Sequence, residues 1–387
     1  MNDDVSSDGA LSSYFSPKAQ RLRLPGHDLA YYSKAGVRGH PNPHPGVLLM
    51  AEGLSLGALH LVDATASAGL LALVAKARGL AEQVTVLEPS QAASACAART
   101  LAGLPEVTLT AALPWDGVAE ADAVALAPTT DRGTARVQAE IEGAHALLRT
   151  GGRLYAVMHK DEGAKRYEGY LKERLGALEV LAKRGGWRLV RGTKRREDVR
   201  PALPIRFEAA GLELAAEPGV FAAGKLDPGT AALLDALELT GLAGTSLAGQ
   251  RVLDLGCGYG LLALKAAGAG AKVTGLDDDL AAVRSSRANA ASLGLEAAFL
   301  HSDVDSALGG EARFDLVLAN PPFHVGKRVV LEVPRAFLAA AKRRLLPGGR
   351  LVLVANAALP YELELANWSS WRERARQGGF KVLEALR

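Results

Sequence analysis

At 387 residues the chain is long enough for two ordinary domains, and a composition of 49 % hydrophobic and 22 % charged residues excludes a disordered polymer. A formal net charge of +3 is too small to argue nucleic-acid binding by itself, and no apolar run reaches the roughly 18–20 residues that a membrane span requires. The two cysteines, Cys96 and Cys257, lie in separate segments, so the expected setting is reduced and cytoplasmic.

Residues 1–16 are polar and lack a basic flank leading into an apolar core, so they read as a short flexible tail rather than a signal or transit peptide. Residues 24–50, rich in Pro, Gly and His, read as loops with short strand pieces. Their histidines, His27, His40 and His44, lack a Cys or carboxylate partner at ligand spacing, and no metal site is expected. From Leu59 onward strand-like and helix-like runs alternate.

The second half of the chain repeats that pattern. Residues 61–73 align without a gap on 252–264, each an apolar strand running into a helix. Four further blocks follow in the same order: 84–88 with 273–277, 122–128 with 315–321, 150–154 with 347–351, and 185–189 with 378–382. Two copies of one α/β domain are predicted, residues 1–205 and 206–387. Between them Arg206-Phe207-Glu208 and Leu212-Glu213-Leu214 flank a turn and read as a hairpin, and a helix is expected from Ala231 to about Leu242.

Charge is distributed unevenly. Residues 160–206 hold 14 Lys and Arg against 7 Asp and Glu. Within them Lys194, Arg195 and Arg196 form either a solvated face or a phosphate-contacting patch.

The copies differ where an open α/β sheet places its chemistry, at the carboxyl ends of its strands. In the second copy the strand ending at Leu255 runs into Gly256-Cys257-Gly258-Tyr259-Gly260, with Asp254 just before. The dinucleotide fingerprint would need glycine at 261, where Leu261 stands, so the spacing fits an S-adenosylmethionine turn better than an NAD turn. Asp277, ending the next strand, is placed to accept two ribose hydroxyls. Asp303 follows a third strand-like run and reads either as an acceptor for an adenine amine or as a helix N-cap. Cys257 reads as a small packing residue. After the strand 316–319 come Asn320, Pro321, Pro322, Phe323 and His324. The prolines fix the backbone, so an amide, held carbonyls and an aromatic face suit a planar, amino-bearing substrate. In the first copy Thr65, Ser67 and Ala127 replace Gly256, Gly258 and Asn320, and that site is expected to be lost.

With these motifs in order, the chain resembles class I S-adenosylmethionine-dependent methyltransferases, and more narrowly the RsmC family of ribosomal RNA guanine-N2 methyltransferases. The narrower likeness rests on 320–324 followed by Gly326, on Gly219-Val220-Phe221 with Lys225-Leu226-Asp227 and Gly229-Thr230, and on Leu359-Pro360-Tyr361-Glu362 with Phe380-Lys381-Val382. It is clear over residues 218–386 and diffuse before them, and Ala222 departs from the Ser common in that family. The resemblance implies two tandem Rossmann-like domains with mostly parallel seven-stranded sheets, the first degenerate. It also implies that Asp254, Gly256, Gly258, Gly260, Asp277, Asp303 and Asn320 line the S-adenosylmethionine site. Asn320, Pro321 and Phe323 would act on the amine, with Pro322, His324, Lys327, Lys194, Arg195 and Arg196 on the substrate side.

The expected partner is ribosomal RNA or the small ribosomal subunit, with no membrane, and a monomer is consistent with two tandem domains. Other planar nitrogens stay open as targets: a large-subunit guanine, adenine N6 or a protein glutamine. A vestigial, RNA-binding assembly protein is the non-enzymatic alternative. The intact Gly256, Asp277 and Asn320 argue against it.

Overall fold

The computed structural model describes residues 14–117, 119–238, 247–322, 324–325, 328–329 and 332–387. They divide into two compact units: Ser16–Leu203, and Pro204–Arg387 together with Tyr14 and Phe15.

The first unit opens with a hairpin, β1 (Lys18–Leu24) and β2 (His27–Ser33), followed by helix α1 (Pro45–Gly53). Then alternate β3 (Ala58–Ala64), α2 (Leu70–Ala77), β4 (Ala81–Leu87), α3 (Gln91–Thr100), β5 (Val107–Thr110), β6 (Ala121–Leu126), α4 (Thr134–Leu147), β7 (Leu148–His159), α5 (Ala164–Leu175), β8 (Glu179–Arg184) and β9 (Trp187–Thr193). The seven-stranded sheet has the order β5-β4-β3-β6-β7-β9-β8, parallel except at β9, which runs antiparallel to both its neighbours.

The second unit repeats the plan. A hairpin, β10 (Ile205–Ala209) and β11 (Leu212–Ala216), leads to α6 (Pro228–Ala236). Next come β12 (Arg251–Leu255), α7 (Leu261–Gly268), β13 (Lys272–Asp277), α8 (Leu280–Leu293), β14 (Ala297–His301), β15 (Phe314–Ala319), β16 (His324–Val325), β17 (Arg328–Val329), α9 (Glu332–Arg344), β18 (Leu345–Asn356), α10 (Tyr361–Leu365), β19 (Ser370–Gln377) and β20 (Phe380–Leu386). The order β14-β13-β12-β15-β18-β20-β19 matches the first sheet strand for strand. The pairing agrees with the sequence repeat residue by residue: Leu61 faces Ala123 and Val252 faces Leu316, while Ala64 faces Leu126 and Leu255 faces Ala319.

Central strands read as unbroken apolar runs because both sheet faces are covered. Val252, Leu253, Leu255, Leu316, Val317 and Leu318 are all at 0 % exposure, each burial contributing roughly 1.5–3 kcal/mol. The chain crosses from one side of the sheet to the other between β12 and β15. Their adjacent carboxyl ends open a crevice at that switch point.

Several expectations need correction. Residues 24–50 hold β2 and the loop 34–44, as expected, but also the start of helix α1, which was not; α1 begins Pro45-Gly46, and Val47, Leu49, Met50 and Ala51 are buried, so it shows no polar face. The helix expected to reach Leu242 ends at Ala236, and 239–242 lie outside the described residues. The N-terminal tail is not wholly free, because Tyr14 and Phe15 pack against the apolar core of the second unit.

Several basic side chains of this segment are paired within the first unit. Arg174 is buried between Glu142 at 2.9 Å and Asp198 at 2.5 Å, and Arg184, Arg188 and Arg200 pair with Glu52, Glu168 and Glu173. Lys194, expected in an RNA-contacting patch, is 2 % exposed; its Nζ donates to the Leu148 carbonyl at 2.6 Å and pairs with Glu197. Arg195 and Arg196 are exposed. No described helix is long and apolar enough to cross a membrane.

Candidate active site

Strand β12 delivers Asp254 and the glycine turn, β13 delivers Asp277, and β15 delivers Asn320. Gly256, Gly258 and Gly260 take φ of +77°, +57° and +93°, the left-handed region that side chains resist. A Cβ on Gly256 would also lie 3.2 Å from the Phe337 ring. In the first copy Thr65 cannot follow that path, and the left-handed positions become Ala66, Ala68 and Gly69. The turn there is rebuilt, not merely decorated with side chains.

Two carboxylates hold the glycine turn. Asp277 Oδ2 accepts the Gly258 N–H and Oδ1 the Asp279 N–H, both at 2.9 Å. Each oxygen keeps a lone pair for a ligand hydroxyl. Burial, assisted by Asp279 and Asp278, pushes its pKa up to about 6. Asp254 is wholly buried behind the turn, where Oδ2 accepts the Ala263 N–H at 3.0 Å. Its Oδ1 has no hydrogen-bond partner among the described residues, and burial raises its pKa to about 7. In the first copy the matched oxygen of Asp63 is taken by the Thr65 N–H at 3.0 Å and the Thr65 hydroxyl at 2.6 Å. Replacing Gly256 by threonine therefore fills the acceptor that the second copy leaves open.

Asp303 does not cap a helix. The Ala307 N–H is taken by the Ser302 hydroxyl, while Asp303 Oδ1 accepts the Tyr14 hydroxyl at 2.9 Å. Cys257 is buried, its Sγ 3.5 Å from the Ser286 hydroxyl, and burial holds its thiol well above the ordinary range, so it is no nucleophile.

Asn320 follows β15 beside the turn, and its side chain is fixed by two residues, Asp227 and Thr230, that the sequence marks only as parts of the 225–230 motif, without a role. Its Nδ2 donates to Asp227 Oδ2 and to Thr230 Oγ1, both at 3.0 Å. A carboxylate only accepts, so the amide nitrogen must face Asp227 and the amide oxygen must face away. Asp227 is itself held as the N-cap of α6, its Oδ2 accepting the Thr230 N–H at 2.8 Å. The signal was present as Asp227-Pro228-Gly229-Thr230, a capping sequence whose long-range role needs the folded chain. In the first copy the matched residues are His44 and Val47, so the amide and its anchors are lost together.

The pocket so formed has a volume of about 40 Å³ and is lined by Phe221, Asp227, Thr230, the glycine turn and Asn320. Pro321 is buried and Pro322 exposed, while His324 pairs through its backbone with Val329. Phe323 and Lys327 lie outside the described residues.

The methyltransferase small domain model matches the chain twice, over residues 28–191 and 211–384. The T. thermophilus 16S rRNA N2 G1207 methyltransferase (RsmC), solved in complex with AdoMet and guanosine, is similar in structure with a TM-score of 0.85 and 36 % identity, over 97 % of this chain and 99 % of that one. Ribosomal RNA small subunit methyltransferase C of Chromohalobacter salexigens is 42 % identical over 183 residues, covering 47 % of this chain and 54 % of that protein, so the match spans about half the relative's length. The protein of the same name from Klebsiella pneumoniae is 35 % identical over 245 residues, 62 % of this chain and 69 % of its own. Both sheets, the repeat and the crevice thus agree with these matches: the chain belongs to the methyltransferase small domain family, in its two-domain RsmC form.

Proposed function

We propose that this chain transfers a methyl group from S-adenosylmethionine to the exocyclic N2 amine of a guanosine in small-subunit ribosomal RNA. The observation that carries this reading is the amide of Asn320, locked by Asp227 and Thr230 beside the glycine turn. The near full-length match to the T. thermophilus enzyme supports it. S-adenosylmethionine, when bound, supplies a methyl group activated by a positively charged sulfur. On this reading Gly256, Gly258 and Gly260 admit it close to the backbone, Asp277 accepts its ribose hydroxyls, Asp303 its adenine amine, and the open Oδ1 of Asp254 offers a buried acceptor behind the turn.

A guanine amine is a weak nucleophile because its lone pair is delocalised into the ring. If Asn320 Oδ1 and the Pro321 carbonyl accept its two N–H bonds, the lone pair is turned out of conjugation and aimed by the protein. Such alignment supplies up to roughly 7–11 kcal/mol, against about 100- to 10,000-fold for a single general base. Positioning therefore carries the catalysis, and no described histidine is needed as a base. The base must be extruded or unpaired to enter, and Phe323 is assigned the stacking face.

Residues 204–387 take the catalytic role and 16–203 the substrate platform, with Arg195 and Arg196 on its RNA-facing side. The setting is the bacterial cytoplasm, with ribosomal RNA or the small subunit as partner. Nucleoside analysis of small-subunit RNA from cells with and without this protein tests the proposal. Loss of one N2-methylguanosine in the deletion is expected; an unchanged profile would overturn it.

A further inference from the structure

The first unit keeps more of the dead site than its missing amide suggests. The backbone of Ala127-Pro128 ends β6 as Asn320-Pro321 ends β15, beside the matched turn. Upstream, Gly36-Val37-Arg38 corresponds to Gly219-Val220-Phe221, each at the same spacing before a helix that begins Pro45-Gly46 or Pro228-Gly229. In the second unit Phe221 is 62 % exposed at the mouth of the pocket. In the first unit Arg38 turns inward.

The Arg38 guanidinium spans both strand ends. Its Nη1 donates to the Ala127 carbonyl at 2.5 Å and to the Thr65 carbonyl at 3.3 Å. Its Nη2 donates to the Pro128 carbonyl at 3.0 Å and lies 3.4 Å from His44 Nε2. A guanidinium has no acceptor, so His44 must present a lone pair at Nε2. Burial and the Arg38 charge agree with that, holding the His44 pKa down to about 3. Burial opposes the guanidinium charge, and Glu140, Asp131, Glu162 and Glu88 support it. The cavity left beside it is about 10 Å³, against about 40 Å³ in the second unit, and the smaller figure is at the limit for one water.

We propose that Arg38 is a resident substrate mimic: its planar, amino-bearing fork occupies the amine site of the first copy, which retains a built site for guanidinium-class groups closed by the chain's own side chain. Guanine carries the same N–C(NH2)–N unit along its N1, C2, N2 edge. Arg38 satisfies the Pro128 carbonyl, which matches the Pro321 carbonyl assigned to the amine, together with that of Ala127; a flipped base is refused there, leaving the second unit alone to take the target base. The assignment rests on the reading that the Asn320 loop receives an amine. Its test makes no use of methyl transfer, so either can fail alone.

The test uses the full chain with Arg38→Ala and, as a milder opening of the same site, Arg38→Gln. Thermal unfolding is followed during titration with low-millimolar methylguanidinium chloride, with methylammonium chloride at equal ionic strength as the control. Both variants should unfold below wild type, and methylguanidinium alone should raise their midpoints saturably by about 2–4 °C. Wild type, with Arg38 in place, sets the baseline for any binding at the open second site, and the rise in the variants should exceed it. Arg38→Lys should not restore the wild-type midpoint, because an ammonium cannot bridge two carbonyls as a planar fork does. Absence of selective protection in whichever of Arg38→Ala and Arg38→Gln folds, or equal protection by methylammonium, would overturn the assignment.

Discussion

Replacing Asn320 by Asp exchanges the amide nitrogen for an oxygen and leaves the shape unchanged, which makes it a sharp probe of the Asp227 anchor. In the native chain Nδ2 sits 3.0 Å from Asp227 Oδ2. Two negative charges at that separation repel by about 332/(20 × 3.0), roughly 5–6 kcal/mol at an effective dielectric of about 20, and by about half where the pocket meets water. The smaller value still corresponds to about two pK units. One proton is then shared by the pair well above the ordinary carboxylate range. With that proton present, the new side chain is held by Asp227 and offers its other oxygen to the amine. Without it, the two carboxylates separate and the amine loses its acceptor. The assay is kcat/KM for methyl transfer across pH, taken as the ratio of variant to wild type so that titrations common to both cancel. A loss of about 100-fold at the alkaline end is expected, the ratio recovering about ten-fold as pH falls over two units. A ratio near one, or a loss that does not change with pH, would refute the reasoning.

Thr230→Val removes one neutral anchor of the same amide and keeps the helix cap, so kcat should fall about 2- to 10-fold with cofactor affinity unchanged by calorimetry. A weakened cofactor and unaltered kcat would assign Thr230 elsewhere. Asp277 must be ionised to accept two hydroxyls, so cofactor affinity should fall as pH drops through about 6. Stability of the cofactor-free chain should move the opposite way: the folded pKa is raised above its ordinary 3.8, the native state binds more protons between those values, and the Asp277 contribution falls as pH rises from about 4 to about 6. Thermal scans of wild type and Asp277→Asn across that window check the sign. Reversing Arg195 and Arg196 to Glu should lower the salt slope of RNA binding by about 1.4–1.8. Lys194→Ala should instead lower the unfolding midpoint, since its ammonium is buried against the Leu148 carbonyl.

The duplication was legible because parallel core strands write themselves as apolar runs, and the matched strands pair alike in the two units: Leu61 with Ala123 in the first, Val252 with Leu316 in the second. Gly256 and Asp277 could be placed at strand ends for the same reason. Asp227 and Thr230 stood in a noted motif but showed no role, because they meet Asn320 across 93 and 90 residues of chain, and locally they read only as a helix start. Lys194 misled because a basic triplet looks solvated until its strand turns one member inward. Helix α1 was hidden by burial on nearly every side, which erases the polar face that periodicity needs. Arg38 gave no signal at all, since its partners are backbone carbonyls of two strand ends.

The central claim is that Asn320 positions the acceptor amine rather than holding the cofactor or the fold. The most direct test is transfer of a labelled methyl group by purified wild type and Asn320→Ala to small-subunit RNA, with S-adenosylmethionine affinity measured on the same samples. Transfer to a guanine N2 by wild type, its loss in the variant by about 100-fold or more, and cofactor affinity within a few-fold are predicted. Retained turnover in the variant, or a parallel collapse of cofactor binding, would contradict the account.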